Sequence, residues 1–247
     1  MSSNPTALWL NANRSFKPFE APLLRYLHKC IAIARWEYIQ SADEGSSLEV
    51  ALEHLHDYLA PCDRPLHLLG HGTGGLLGLL YARQYPERVE SLTLLGVGAY
   101  PAVDWQAHYY RLRQLLPCDR AMILAQMVRN LFGAQNYCTT KALIEILDKD
   151  LLHSPSPHSL YQRTSIAPGS LEVPLLACGS ADDVIVDRNA LNEWRVWMKS
   201  GDVLWTCPRG HHFFHYFQSG EVGRQIVKFW HSLSPEEVRT CTEEIAR

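Results

Sequence analysis

Residues 65–95, PLHLLGHGTGGLLGLLYARQYPERVESLTLL, constrain the fold of this chain more than any other stretch. The apolar run Leu66 to Leu69 is short enough for a buried strand, and a glycine cluster, Gly70-His71-Gly72-Thr73-Gly74-Gly75, follows it. Apolar residues then recur at helical spacing from Leu76 to Tyr85, Pro86 stops them, and Ser91 to Leu95 reads as a second strand. Strand, glycine turn, helix and strand make one βαβ unit, because parallel strands need a crossover of this kind.

Two patterns fit the glycine cluster. Gly70, Gly72 and Gly75 match G-x-G-x-x-G of dinucleotide-binding proteins, but that reading wants an acidic residue closing the second strand, and SLTLLGVG ends in glycine. The stretch more closely resembles the nucleophile elbow of the α/β-hydrolase family, G-x-Ser-x-G at a strand-to-helix turn. Lid-bearing members read GHSxGG, an apolar helix ending YPERV, and a strand; here GHGTGG, YARQYPERV and SLTLLG stand in that order. Gly72 occupies the place of the serine.

The resemblance extends over roughly residues 6–233. Thr6 to Leu10 is similar to the family's third strand, and the loop after it, Asn11-Ala12-Asn13, departs from the usual His-Gly. Strands one and two of the family have no room in the chain. Helices are expected at Phe19–His28 and Ser47–Leu59, with a strand at Cys30–Ala34 between them. From Pro101 to about Pro168 the text is helical, with pieces at Asp104–Leu116, Asp119–Phe132 and Thr139–Leu152 and a further turn at His158–Arg163. In the family a helical lid is inserted there, after the sixth strand. The implied division is a core of 1–100 and 169–247 with a lid of 101–168. A strand at Val173–Cys178, a helix at Asp187–Ser200 capped by Asp187, a strand at Val203–Thr206 and helices at Glu221–Leu233 and Pro235–Arg247 complete the reading. The fold class is α/β, a mostly parallel sheet flanked by helices.

The resemblance implies the site residues. Asp182 holds the G-x-x-D position of the triad acid, with Asp183 as the fallback, and His211 follows Gly210 where the family places its base. Thr73 and Ala12 are the implied oxyanion-hole amides. His71, Trp105 and Tyr109 are the candidate ligand-binding residues, in a small and mostly apolar pocket beneath the lid. Gly72 has no side chain and cannot attack a carbonyl; loss of the serine costs a related hydrolase on the order of a millionfold in rate. Thr73 is a poor substitute because the elbow demands small flanking residues, and Cys207 reads as a buried thiol. His211, His212 and His215 invite a metal reading, but no H-E-x-x-H glutamate accompanies them, so no metal or cofactor is expected.

The functional expectation is a non-hydrolytic member that binds a small apolar or carbonyl-bearing ligand, or a partner protein, through the lid cleft. The alternatives are a cofactor-free enzyme using a His211/Asp182 dyad, and a serine hydrolase of esters or acyl substrates whose Ser at 72 was changed to Gly. The 247 residues carry 23 Lys and Arg against 26 Asp and Glu with no basic stripe, which argues against nucleic acid. No apolar run reaches the length of a membrane span. Seven cysteines without a C-x-x-C pair fit free thiols in a reducing cytoplasm. An uncovered edge strand makes a homodimer through that edge a weaker expectation.

Overall fold

A computed structural model describes residues 5–40, 47–159 and 161–233 of the chain; the helix expected at Pro235–Arg247 lies outside them. Among the described residues six strands form one sheet in the order β2-β1-β3-β4-β5-β6, every pair parallel. They are β1 (Ala7–Asn11), β2 (Ile33–Glu37), β3 (Leu66–His71), β4 (Val89–Leu95), β5 (Leu175–Ser180) and β6 (Val203–Cys207). Register runs Leu10 beside Gly70 and Gly70 beside Leu94, so the ends of β1, β3 and β4 lie together. The chain moves outward from β1 to β2, then returns to place β3 on the other side of β1. That reversal opens a crevice at the carboxyl ends of β1 and β3, where open α/β sheets bind ligands.

Period-2 alternation in β1 sends Leu8 and Leu10 to one face and Ala7 and Trp9 to the other. All four are buried, as a strand covered on both faces requires. The first face packs against α2 (Leu48–Leu59) and α3 (Thr73–Gln84) through Leu55, Leu59 and Leu77. The second packs against α1 (Lys17–Leu27) and a long helix near the end of the chain, Ser219–Leu233, through Leu23, Leu27, Ile226 and Trp230. Between β4 and β5 stand α4 (Trp105–Leu115), α5 (Arg120–Phe132) and α6 (Tyr137–His153). Asp104, Asp119 and Asn136 cap them, each side chain accepting a backbone N–H three residues on. After β5 comes α7 (Arg188–Asn192), capped by Asp187 as expected, and after β6 come α8 (Phe214–Phe217) and the long helix, α9 (Ser219–Leu233).

Three local expectations are corrected. Cys30 and Ile31 belong to the turn that ends α1, their N–H groups bonding to the Leu27 carbonyl, so β2 begins later, at Ile33. The helix expected over Asp187–Ser200 is α-helical only to Asn192. A 3₁₀ segment, Glu193–Val196, follows, where the buried Trp194 indole donates to the Val97 carbonyl at 2.9 Å. His158 and Arg163 pair as an antiparallel bridge rather than a helical turn. Among the cysteines, Cys62, Cys118, Cys138, Cys178 and Cys207 are free thiols, but Cys30 is disulfide-bonded, against the expectation of free thiols throughout. No helix among the described residues is long and apolar enough to cross a membrane.

Candidate functional site

The turn between β3 and α3 is built by close approach. Gly74 sits so near the end of β1 that a Cβ there would run into the Leu10 carbonyl oxygen. Gly72 is constrained by its backbone and not by its neighbours. Its backbone lies at φ 51° and ψ −122°, outside the regions open to L side chains, yet a Cβ there would meet nothing within 4 Å. The Gly72 N–H donates to the Leu95 carbonyl at 3.1 Å, and its own carbonyl receives the Leu76 N–H at 2.9 Å. The turn is therefore pinned from both sides, with open space where a side chain would stand. The N–H groups of Thr73 and Ala12, the expected oxyanion donors, have no acceptor among the described residues.

The loops after β5 and β6 supply two His/Asp pairs, one residue apart. The expected pair, Asp182 and His211, lies toward the surface, with about a third of each side chain exposed and 3.5 Å between Asp182 Oδ2 and His211 Nδ1. The carboxylate of Asp182 accepts the His211 N–H at 2.8 Å, the Gly210 N–H at 3.3 Å and the Ser180 hydroxyl at 2.6 Å. Partial burial pushes its acidity the other way, but these donors, with the nearby His211 ring, hold the carboxyl below the ordinary aspartate value. His211 adopts φ 53°, and its ring abuts Gly133 at the end of α5.

The second pair is buried. His212 Nδ1 lies 2.9 Å from Asp183 Oδ2, with the side chains 1% and 0% exposed. The other oxygen of Asp183 accepts the N–H groups of Ile185 and Val186, which fixes the carboxylate. His212 Nε2 has no hydrogen-bond partner among the described residues. The ring reaches the elbow, since a Cβ on Gly96, next to the Leu95 that anchors Gly72, would lie 3.1 Å from His212 Cε1. His71 stands between them, its Nε2 donating to the His212 carbonyl at 3.0 Å and its ring 4.7 Å from that of His212. Burial, and next the neighbouring His215 and His212 rings, hold His71 neutral, well below the ordinary histidine value. His215 is likewise pushed down to about 3, by burial first.

Trp105 and Tyr109 face the core rather than open space. Phe16 meets Trp105 and Phe213, with ring centroids 6.0 and 5.1 Å apart, and Phe213 stacks on Phe132 at 4.4 Å. Beside His71 and Asn11, the Phe16 and Phe213 rings leave a void of about 10 Å³, room for one water molecule. A feature that sequence reasoning missed is Asp150 on α6, fully buried. It accepts hydrogen bonds from the Ser154 hydroxyl at 2.6 Å, the Asn13 amide at 3.1 Å and the Gln106 amide at 3.4 Å. It ties the loop after β1 to α4 and α6, and burial pushes its carboxyl up to about 6. A lone aspartate in a helical stretch carries no motif that marks it as buried. His211, His212 and His215 do not gather as a metal site, and no group of ligating side chains does so among the described residues.

Solved structures share this architecture. A meta-cleavage product hydrolase of Pseudomonas fluorescens superposes with a TM-score of 0.69 at 14% identity, covering 93% of this chain and 91% of that one. A hydrolase of Pseudomonas aeruginosa gives 0.70 at 18% identity, with the same coverage. The chain has the α/β-hydrolase fold. In sequence, the chain is 45% identical over 230 residues to an uncharacterized protein of Nostoc sp., covering 93% of this chain and 92% of the other. It is 44% identical over 239 residues to one of Synechocystis sp., with 97% and 95% covered. A more distant similarity, 25% over 190 residues, 66% of this chain and 58% of the relative, is to cis-3-alkyl-4-alkyloxetan-2-one decarboxylase of Shewanella oneidensis. No protein-family model matches the chain.

Proposed function

We propose that this protein is a non-hydrolytic α/β-hydrolase that holds a small carbonyl-bearing ligand at the Gly72 turn, under a lid formed by residues 101–168. The observation that carries the reading is Gly72 itself: elbow backbone, open space at the side-chain position, and no nucleophilic atom. The free N–H groups of Ala12 and Thr73 would receive the carbonyl oxygen. In this reading His212 and Asp183 take the place of base and orienter. Asp182 and His211 set the preceding turn, because the Asp182 carboxylate binds the very amides that lead into His212.

A second reading rests on the intact buried pair. A histidine whose Nδ1 is held by a fixed carboxylate and whose Nε2 is free can abstract a proton without a covalent intermediate. The distant decarboxylase relative gives a non-hydrolytic precedent within the superfamily.

The test compares the chain as it stands with Gly72→Ser and with Gly72→Ser combined with His212→Ala, on p-nitrophenyl acetate and butyrate. The expected result is turnover by Gly72→Ser alone. Hydrolysis by the unaltered chain at the rate of Gly72→Ser would overturn the non-hydrolytic reading. Turnover that survives His212→Ala but not His211→Ala would return the base to His211. The second reading is separated by a panel of short ketones and lactones. A binder shows saturable thermal stabilisation without product, whereas an enzyme forms product that His212→Ala abolishes.

A further inference from the structure

Outside the elbow, the structure holds a cleft of about 360 Å³ between the start of α4 and residues 158–166. Its lining mixes basic and apolar side chains. Arg111, Arg163, His108 and His158 contribute to it, together with Val103 and Ile166, and no carboxylate does. Arg111 is exposed and forms no ion pair or hydrogen bond among the described residues, whereas Arg163 is engaged by Gln114. An unpaired guanidinium beside a concave apolar surface is the arrangement that recognises a carboxylate with a short hydrocarbon part.

His158 forms part of the cleft wall. His158 is 6% exposed, and its Nε2 donates to the Ala102 carbonyl at 2.5 Å. That bond fixes the tautomer, leaving Nδ1 as an acceptor in the neutral ring and a donor in the charged one. Nδ1 has no partner among the described residues. A buried nitrogen without a partner costs free energy unless something completes it. Asp104 lies beneath, its Oδ1 3.8 Å from His158 Nε2 while accepting the Ala107 N–H, so a carboxylate supports this ring from below. His108 adjoins the cleft.

We infer that this cleft is a binding site for a small organic anion, a carboxylate with a short apolar chain, with Arg111 as its charge partner. This goes beyond the reading of Gly72: the cleft lies almost wholly within the proposed lid segment, and none of Gly72, Ala12, Thr73, Asp183 and His212 lines it.

The test is isothermal titration of the whole protein with hexanoate, with 1-hexanol and inorganic phosphate as comparison probes. Variants are Arg111→Gln and, as a control of equal charge, Arg224→Gln, an exposed residue of α9. Hexanoate is expected to bind saturably, to weaken about tenfold or more in Arg111→Gln, and to keep its affinity in Arg224→Gln. Its affinity should also fall with added salt. Saturable binding that is unchanged in Arg111→Gln, equal binding of 1-hexanol, or no hexanoate binding by a protein whose circular dichroism shows it folded would each overturn the inference. Phosphate binding as tightly as hexanoate would overturn the organic part of it. Arg111→Gln removes no hydrogen bond or ion pair recorded among the described residues, and circular dichroism checks that the variant is folded.

Discussion

Replacing Gly72 by serine separates what the backbone of the elbow costs from what its side chain would do. No atom lies within 4 Å of the position a Cβ would take, so the substitution creates no overlap. The whole penalty therefore comes from holding an L residue at φ 51° and ψ −122°. Residues forced into such regions cost about 1–3 kcal/mol each. A smaller gain of about 0.4–1 kcal/mol offsets it, because an unfolded chain with serine has fewer conformations than one with glycine. The net expectation is a loss of about 1–2 kcal/mol, or a fall in Tm of roughly 2–8 °C for a chain of this size.

Urea denaturation of the unaltered chain, Gly72→Ser and Gly72→Ala measures this directly. Serine and alanine should lose nearly the same stability, since both pay through φ and neither meets a neighbour. Equal or greater stability in both variants would refute the backbone argument. A loss above about 4 kcal/mol would refute the open space, because only a collision reaches that size. The same Gly72→Ser protein reports on the site: with the oxyanion amides and His212 in place, ester hydrolysis should rise by at least about a thousandfold. Strain and activity are then read from one protein, and an unstable but inactive Gly72→Ser would show an elbow whose partners do not cooperate.

Three further outcomes follow from the packing. Phe213→Ala removes the ring stacked on Phe132 and packed against Phe16, and should cost about 3–5 kcal/mol by urea denaturation, with a loss below about 1 kcal/mol contradicting the aromatic core. Gly74→Ala drives a Cβ into the Leu10 carbonyl, and should lower stability more than Gly72→Ala; the reverse order would show that α3 does not press on β1 as described. Asp150 gives a pH signature. Its folded value of about 6 lies above the ordinary 3.8, so the stability linked to its protonated form is full below pH 4 and is lost as pH rises through 6, on the order of 3 kcal/mol. The advantage of the unaltered chain over Asp150→Asn should thus shrink between pH 4 and pH 7.5, and a difference independent of pH would count against a buried, uncharged carboxyl.

The sheet was legible because each strand lies between clear stops. Pro65 and the glycine cluster bracket β3, and the apolar run of β4 ends at Gly96-Val97-Gly98. Boundaries failed where tertiary contacts outweighed periodicity. Trp194, drawn to the Val97 carbonyl, tightens the chain after α7 into a 3₁₀ turn that its local spacing does not announce. The burial of Trp105 and Tyr109 was not legible either, since an aromatic at helical spacing looks the same whether it lines a cavity or packs among other rings.

The offset between the two His/Asp pairs shows where sequence text stops and geometry begins. Asp182-Asp183 and His211-His212 each offer adjacent candidates, and the G-x-x-D and G-H spacings select the first of each. The proposed base and orienter are the second of each. Asp182 spends its oxygens on the amides of Gly210 and His211, which holds His211 at φ 53° and throws the next side chain inward. His212 then meets Asp183, whose second oxygen is already fixed by Ile185 and Val186, at full burial beside the elbow. The two pairs are one device: the outer sets the turn, and the turn delivers the inner. If so, Asp182→Ala should disturb His212 without touching it, by releasing the amides of residues 210 and 211. In a Gly72→Ser background that variant should lower ester turnover at least tenfold, as loss of charge-assisted hydrogen bonds implies. His211→Ala keeps the backbone N–H that Asp182 binds and should leave turnover within about threefold. Equal losses in the two variants would mean that the outer histidine takes part in the chemistry itself.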